Sequence, residues 1–442
     1  MPVGQNMTYT YWEKDIETID RRNLQKLQLK NLQETVAAAL KTKFYAPRLK
    51  KVGITSGADI KSLDDLNRIP FTTKDDLRET YPDGILSVDM EDVVRLHTSS
   101  GTTGIPTVIY HTRHDLDSWT NLVARCIVAT GAGKRDVFQN MMTYGLFTGG
   151  LGLHYGAERV GMTVIPIGGG NTKRQLQLMK DFRSTVAHIT PSYLLHIYSK
   201  LEELGFSRED FALKKAYLGA EPYSENTRKK LEKLFGIDAY NSYGLSEMNG
   251  PGVSFECVHK CGMHTWEDAY VLEIIDPKTG KSLGDEKEGE IVFTTLQRRA
   301  TPLLRYRTRD LAYVYKGKCA CKRTHRRISR ITGRTDDMLI VNGVNVFPSQ
   351  IEEVIMRIPE VGNNYVVQLD KAGALDKLIV KVEIYSKMFT GDLTELDRLK
   401  SKIADELRAS IVLHPAIELH EPGSLPVSEG KAKRVIDNRP KI

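Results

Sequence analysis

"LHTSSGTTGIPTVIYHT", residues 96–112, decides how the chain is read. The apolar and β-branched residues at its two ends predict a pair of short strands. Between them runs a stretch of hydroxyls and glycines with one proline. Glycines let the backbone come close to an anion, and successive N–H groups can form a nest around it. A Walker-type phosphate loop is excluded, because that motif needs G-x-x-x-x-G-K-[ST]. Here Gly101 and Gly104 are three apart, and Ile105 follows instead of lysine. "GGLGLHYG", after Thr148, also misses the dinucleotide-binding spacing. The loop on its own reads equally well as a solvated turn. As a phosphate loop it would need positive charge from elsewhere in the chain.

Outward from this stretch, short β-branched runs ("GMTVIPI", "STVAHIT", "KKAYLGA") alternate with longer helical ones ("HDLDSWTNLVARCIVATGA", "PSYLLHIYSKLEELG", "SENTRKKLEKLFG"). That rhythm predicts a mainly parallel sheet covered by helices. The first ninety residues read as polar helices, including a short acidic one in "IPFTTKDDLRETYP". After Asn249 the pattern turns strand-rich, through "YVLEIIDPKTGKSLGDEKEGEIVFTTL" and "RYRTRDLAYVYKGKCAC". The last hundred residues read strand, turn, helix, strand, strand, helix, strand and a final basic loop. The expected fold is α/β, a large N-terminal domain with mainly parallel sheets plus a β-rich subdomain, followed by a small α+β C-terminal domain. The boundary is placed at Asp336, giving domains 1–335 and 336–442.

At 442 residues, a prior of roughly 150 residues per domain suggests two or three domains. The formal charge of +7, from 63 basic and 56 acidic residues, is slight for this length. It does not argue for nucleic-acid binding and suits a small anionic substrate. No run approaches the ~18 apolar residues of a membrane helix. The N-terminal sequence has no apolar segment of the secretory kind. Five cysteines, an odd number, speak against a disulfide framework. A soluble cytoplasmic protein is expected, with neither membrane nor nucleic acid as partner.

The opening loop does not stand alone. "SSGTTG", "LGAEP" (218–222), "NSYGLSE" (241–247), "YRTRDL" (306–311), "GRTDDM" (333–338) and "EGKAKR" (429–434) follow in order. Together they resemble the acyl-adenylate-forming superfamily. "LFTGGLGLHYGAERVGMTVIP", "YGLSEMNGPGVSFEC" and "RISRITGRTDDMLIVNGVNVFPSQIE" resemble its phenylacetate–CoA ligase branch, over nearly the whole chain. The resemblance implies activation of an aryl carboxylic acid by ATP and transfer to coenzyme A, with AMP and pyrophosphate released. Ile105 departs from the lysine common in that branch.

The resemblance also implies roles, residue by residue. Ser99, Ser100, Gly101, Thr102, Thr103 and Gly104 would hold phosphate. Gly219, Ala220, Glu221 and Pro222 would line the adenine side, with Asn241, Ser242, Tyr243 and Gly244 beside the nucleotide. Asp310 would accept from the ribose hydroxyls, and Arg334 would face the nucleotide. Glu247 would hold Mg2+, a hard cation that prefers oxygen ligands. Lys431 would bring the missing charge to the α-phosphate, with Lys433 its rival by proximity. Asp336 would be the hinge of a mobile C-terminal domain. The acid's organic part would lie against Tyr144 and Phe147, with Gly150 leaving room. A homodimer is a further expectation from the resemblance.

Four cysteines fall in two groups, "CVHKC" (Cys257, Cys261) and "CAC" (Cys319, Cys321), with His259, His264 and His325 near. Two short knuckles of N and S donors suit structural Zn2+. Composition alone suggests all four cysteines. The resembled branch favours Cys257, His264, Cys319 and Cys321, with Cys261 the substitute for His264. Two other readings compete with the ligase: an adenylating enzyme with a different acyl acceptor or carboxylate, and a zinc-bearing nucleic-acid binder using "CKRTHRRISRITGR". AMP formed only with an aryl acid separates the enzymes from the binder.

Overall fold

A computed structural model describes residues 10–99, 105–372, 375–388, 393–426 and 434–439. Two compact units are present, Met1–Gly168 with Tyr240–Arg330, and Gly169–Ala239 with Ile331–Ile442.

In the first unit, Asp20 caps the helix Arg21–Ala39 by accepting from the Asn23 N–H at 3.0 Å. The helix buries Leu24, Leu32 and Val36, one face at helical spacing. Thr73 and Asp76 form a capping box that starts the helix Lys74–Glu79. This sets Lys74 on the first turn. The opening stretch forms two antiparallel strands, β1 (Val93–Thr98) and β2 (Val108–Thr112). All of β2 is buried, including the polar His111 and Thr112 that end it. Thr112 then caps the helix Arg113–Ala129 through a second capping box with Asp115. The strands Val137–Asn140 and Thr163–Ile165 pair in parallel, and the helix Thr148–Val160 connects them. Gly161, at φ 88°, ends that helix in the left-handed conformation that glycine adopts without cost.

Beyond residue 240 the unit is antiparallel. Ser254–Glu256, Met263–Thr265 and Arg327–Ile328 form one meander. Tyr270–Ile275, Gly289–Thr295 and Tyr306–Ala312 form another.

The second unit holds a buried parallel pair, Val186–Ile189 with Lys215–Leu218. A four-stranded sheet follows, in the order Ala416–His420, Leu375–Ile384, Val361–Ala372, Val435–Asp437. Its middle pair is antiparallel and both outer pairs are parallel. Ile351, Ile355, Ile403 and Leu407 of the helices Pro348–Ile355 and Leu393–Ile411 share a core with Val367 and Val380 of this sheet. Val435–Asp437 corrects the expectation of a basic loop at the chain's end. The Arg434 carbonyl accepts from the Val367 N–H at 2.8 Å, and the Arg434 guanidinium lies over Tyr365 and bonds to its carbonyl. These contacts bring Val435 and Ile436 into the ladder.

Candidate active site

The first unit gathers several of the expected residues around Glu247. The strand β1 enters the glycine–hydroxyl loop and β2 leaves it, so Ser99 and Thr107 face each other across its neck. The Ser99 N–H donates to the Thr107 carbonyl at 3.1 Å, and their hydroxyls lie 2.9 Å apart. Thr107 also donates to Glu247 Oε1 at 3.2 Å. Lys74 Nζ lies 3.4 Å from the same oxygen. Glu247 is 3% exposed, and both of these contacts fall on Oε1. A buried carboxylate so thinly served keeps capacity to ligate a hard cation. Arg298 fixes the turn beneath it by donating to the Glu247 carbonyl and to Asn249 Oδ1.

Tyr243 donates to Asp310 Oδ2 at 2.7 Å, which joins two motifs far apart in the chain. Gly244 is required by a close approach: a Cβ there would lie 2.5 Å from Gly250 Cα and 3.0 Å from Pro251 Cα. Asn241 and Ser242 are buried on the strand Asp238–Tyr243, and the Asn241 N–H donates to Glu256 at 2.8 Å.

Of the expected acid-binding residues, Tyr144 and Phe147 lie on the turn before the helix Thr148–Val160 and Gly150 lies in its first turn. The Tyr144 hydroxyl accepts from Asn140 at 2.8 Å and lies 3.0 Å from His154 Nδ1. Burial pushes the Tyr144 hydroxyl up to about 12. Phe147 is 42% exposed at the helix start. At Gly150 a Cβ would come within 2.8 Å of the Thr143 carbonyl oxygen and 3.3 Å of the Tyr144 ring, so glycine is what lets this turn fold back. Thr148 and Ser246 hydroxyls, 3.4 Å apart, connect the turn to the one carrying Glu247.

In the second unit, Gly219, Ala220, Glu221 and Pro222 follow the strand Lys215–Leu218. Ala220 sits at φ 67°, a conformation costly for a residue with a Cβ. Glu221 accepts from the Ser192 N–H at 2.7 Å. Arg334 pairs with Asp336 at 3.0 Å, so the expected hinge residue and nucleotide-facing arginine hold each other. Ser100, Gly101, Thr102, Thr103, Gly104, Lys431 and Lys433 lie outside the described residues. Ile105 is 54% exposed. Sequence reasoning did not single out Lys74. Its signal was the threonine and lysine opening the helix in "FTTKDDL", and only the fold brings it to Glu247.

Cys257, His264, Cys319 and Cys321 are all buried, and their ligating atoms lie within 4.8 Å of one another. His264 Nδ1 lies 3.3 Å from the His325 carbonyl. A carbonyl only accepts, so Nδ1 carries the proton and Nε2 offers its lone pair, 3.3 Å from Cys321 Sγ. Hydrogen bonding from Cys257 pulls the Cys321 thiol down, while the bond to Cys319 pushes Cys257 up. Three sulfurs and one imidazole nitrogen at this spacing fit a tetrahedral Zn2+ site. Cys261 stands aside from the four: its sulfur accepts from Arg327 at 2.9 Å and lies 3.4 Å from Cys319. The knuckle is tied to the start of the described chain, since Tyr11 donates to the Cys321 carbonyl at 2.8 Å and buried Arg323 pairs with buried Glu17 at 2.6 Å.

With this geometry established, comparison with known proteins is informative. Residues 25–297 match the model of the AMP-binding enzyme family, and residues 343–439 match that of the AMP-binding enzyme C-terminal domain. A phenylacetate-coenzyme A ligase of Thermus thermophilus is 43% identical over 443 residues, covering 97% of this chain and 99% of that protein. The Escherichia coli protein of the same name is 43% identical over 427 residues, covering 96% and 97%. A crystal structure of 2-hydroxyisobutyryl-CoA ligase, in the postadenylation state with an acyl-AMP, superimposes with a TM-score of 0.92 at 25% identity, covering 99% of this chain and 94% of that one.

Proposed function

Because the chain belongs to the phenylacetate–CoA ligase family of AMP-binding enzymes, ATP-dependent acid–thiol ligases that work through an acyl-adenylate, we propose that its own acid is phenylacetate or a close aryl relative. The supporting observation is the turn bearing Tyr144 and Phe147, with Gly150 at the start of the helix that follows, linked through Thr148 and Ser246 to the turn of Glu247. An aryl group would pack on the exposed face of Phe147 beside Tyr144, with its carboxylate toward the Glu247 turn.

In the first half-reaction an anionic carboxylate attacks the α-phosphate of ATP. Negative charge gathers there and must be offset by preorganised cations. Lys74 supplies one ammonium beside Glu247. Lys431 supplies another from the C-terminal domain, which answers how a loop with Ile105 in place of lysine can serve phosphate. Ser99, Thr107 and the glycine–hydroxyl loop donate to phosphate oxygens. Glu247 would hold Mg2+, which would supply neutralisation of phosphate charge. Asp310, oriented by Tyr243, accepts from the ribose. Residues 336–442 then swing about Asp336, removing Lys431 before the thiol of coenzyme A displaces AMP. Cys257, His264, Cys319 and Cys321 would hold a structural Zn2+. No helix among the described residues is long and apolar enough to cross a membrane, and five free cysteines suit the cytoplasm.

The test is a panel of carboxylic acids scored for pyrophosphate release, with acyl-CoA identified by mass spectrometry. Phenylacetate should lead the panel. Faster turnover of a short aliphatic acid would remove the aryl assignment. An adenylate that accumulates and never passes to coenzyme A would favour another acyl acceptor.

A further inference from the structure

His97 lies on β1, two residues before the glycine–hydroxyl loop, and is 1% exposed. Its Nδ1 is 3.0 Å from the carbonyl oxygen of Leu146. The next residue, Thr98, donates its backbone N–H to the same oxygen at 3.0 Å. One carbonyl in the middle of residues 144–147 is therefore held twice by the strand that enters the phosphate loop. Hydrogen bonds to Asn140 and His154 fix its Tyr144 end, while the part nearer Phe147 is more open. Leu146 is 58% exposed and Phe147 42%, so neither side chain is pinned by packing. Gly145, at φ 136°, would meet nothing within 4 Å if it carried a Cβ.

The His97 ring is itself clamped. His111 on β2 meets it edge-on at 5.5 Å and Trp119 at 5.8 Å. Trp119 is fixed by donating to the Pro251 carbonyl at 2.8 Å. His97 Nε2 is buried and has no partner among the described residues, so the Leu146 carbonyl is the one polar contact that orients the ring. Since a carbonyl accepts only, Nδ1 carries the proton. Burial presses His97 below its ordinary range, which keeps the ring neutral in that tautomer.

We propose that His97 is a positioning residue for acid recognition: its Nδ1–H sets the Leu146 carbonyl and so places Phe147 over the acid, coupling the acid turn to the strand that feeds the phosphate loop. The proposal rests on the reading that residues 144–147 wall the acid. Removing one hydrogen bond that orders a binding turn should cost about threefold to tenfold in apparent affinity.

The experiment measures KM for phenylacetate and for ATP, by pyrophosphate release, in the wild type, His97→Leu, His97→Asn and Phe147→Ala. His97→Leu removes the donor and should raise the acid KM by about threefold to tenfold, with the ATP KM unchanged. The amide of His97→Asn can place an N–H near the Nδ1 position and should recover most of the loss. An unchanged acid KM in a folded His97→Leu overturns the proposal, as does an equal rise for acid and ATP. If Phe147→Ala raises the acid KM while His97→Leu does not, the acid wall stands and the positioning role falls. If His97→Leu raises it and Phe147→Ala does not, His97 does not act through Phe147 and the proposal is overturned. Should His97→Leu fail to fold, the wild type decides: nitrogen-15 imidazole spectra, assigned with His97→Asn, should show His97 protonated on Nδ1, and an Nε2–H tautomer overturns the proposal.

Discussion

Glu247 and Glu352 are both buried carboxylates, one in each unit, and they are served very differently. Glu352, on the helix Pro348–Ile355, accepts at Oε1 from the Ser224 N–H at 2.9 Å and the Thr227 hydroxyl at 2.6 Å. Its Oε2 accepts from the Tyr365 hydroxyl at 2.8 Å. In this conformation it joins the C-terminal part of the second unit to the start of the helix Glu225–Phe235. Glu247 has a hydroxyl at 3.2 Å and an ammonium at 3.4 Å, both on one oxygen. A carboxylate saturated with short donors holds structure, because the protein has already used its lone pairs. One whose contacts are few, long and confined to a single oxygen keeps capacity for a cation. The difference lies in donors, since both side chains are almost fully enclosed.

The sharpest way to break the comparison is to exchange charge for shape. Glu247→Gln keeps the volume and loses the anion. Adenylation should fall by about 10²–10³, the scale of one lost preorganised electrostatic contact, while the unfolding midpoint barely moves. A Glu247→Gln protein that is unstable but fully active per folded molecule would reverse the assignment. Asp310 stands between the two cases, with Tyr243 on one oxygen. Asp310→Ala should weaken ATP binding in calorimetry by roughly 1.5–3 kcal/mol, the range of a charge-assisted hydrogen bond. Unchanged affinity would remove its ribose role.

Glu352→Ala should do the opposite of Glu247→Gln. It strands three buried donors and should lower stability by about 2 kcal/mol in denaturant unfolding, with acid-dependent pyrophosphate release per folded molecule less affected. A pH-dependent effect concerns Lys230 on the helix Glu225–Phe235. It donates to the Val361 and Gly362 carbonyls at 3.0 and 2.6 Å, and burial lowers it from 10.5 to about 8. Between about pH 8 and 10.5 the unfolded chain holds a proton that the folded chain has released, so stability rises with pH there. Wild type should gain stability over Lys230→Met across that window, and parallel curves would discount the shift.

What the sequence revealed of this divides by range. The six ordered motifs are short, and each signals its chemistry within a few residues, so the family was legible; the roles proposed for Glu247 and Asp310 come from the same motifs. The cysteine knuckles were legible for the same reason. Even the four residues whose ligating atoms converge came from the two-cysteine spacing and the resemblance together. Strand and helix alternation fixed most elements. It missed Val435–Asp437, whose short apolar run is a strand only because Val361–Ala372 offers an edge to pair with. Lys74, Glu352 and the His97–Leu146 contact were invisible for a common reason. Each is an ordinary residue for its local element, and its meaning comes from a partner brought near by tertiary folding.

The most direct test of the central claim uses purified protein with ATP, Mg2+ and phenylacetate, with and without coenzyme A, analysed by chromatography and mass spectrometry. With coenzyme A, phenylacetyl-CoA and AMP should appear in equal amounts, and both should vanish without the acid. Without coenzyme A, phenylacetyl-adenylate should form and be trapped by hydroxylamine. The absence of acid-dependent AMP across a panel of aryl acids, from folded protein that binds ATP, would contradict the assignment.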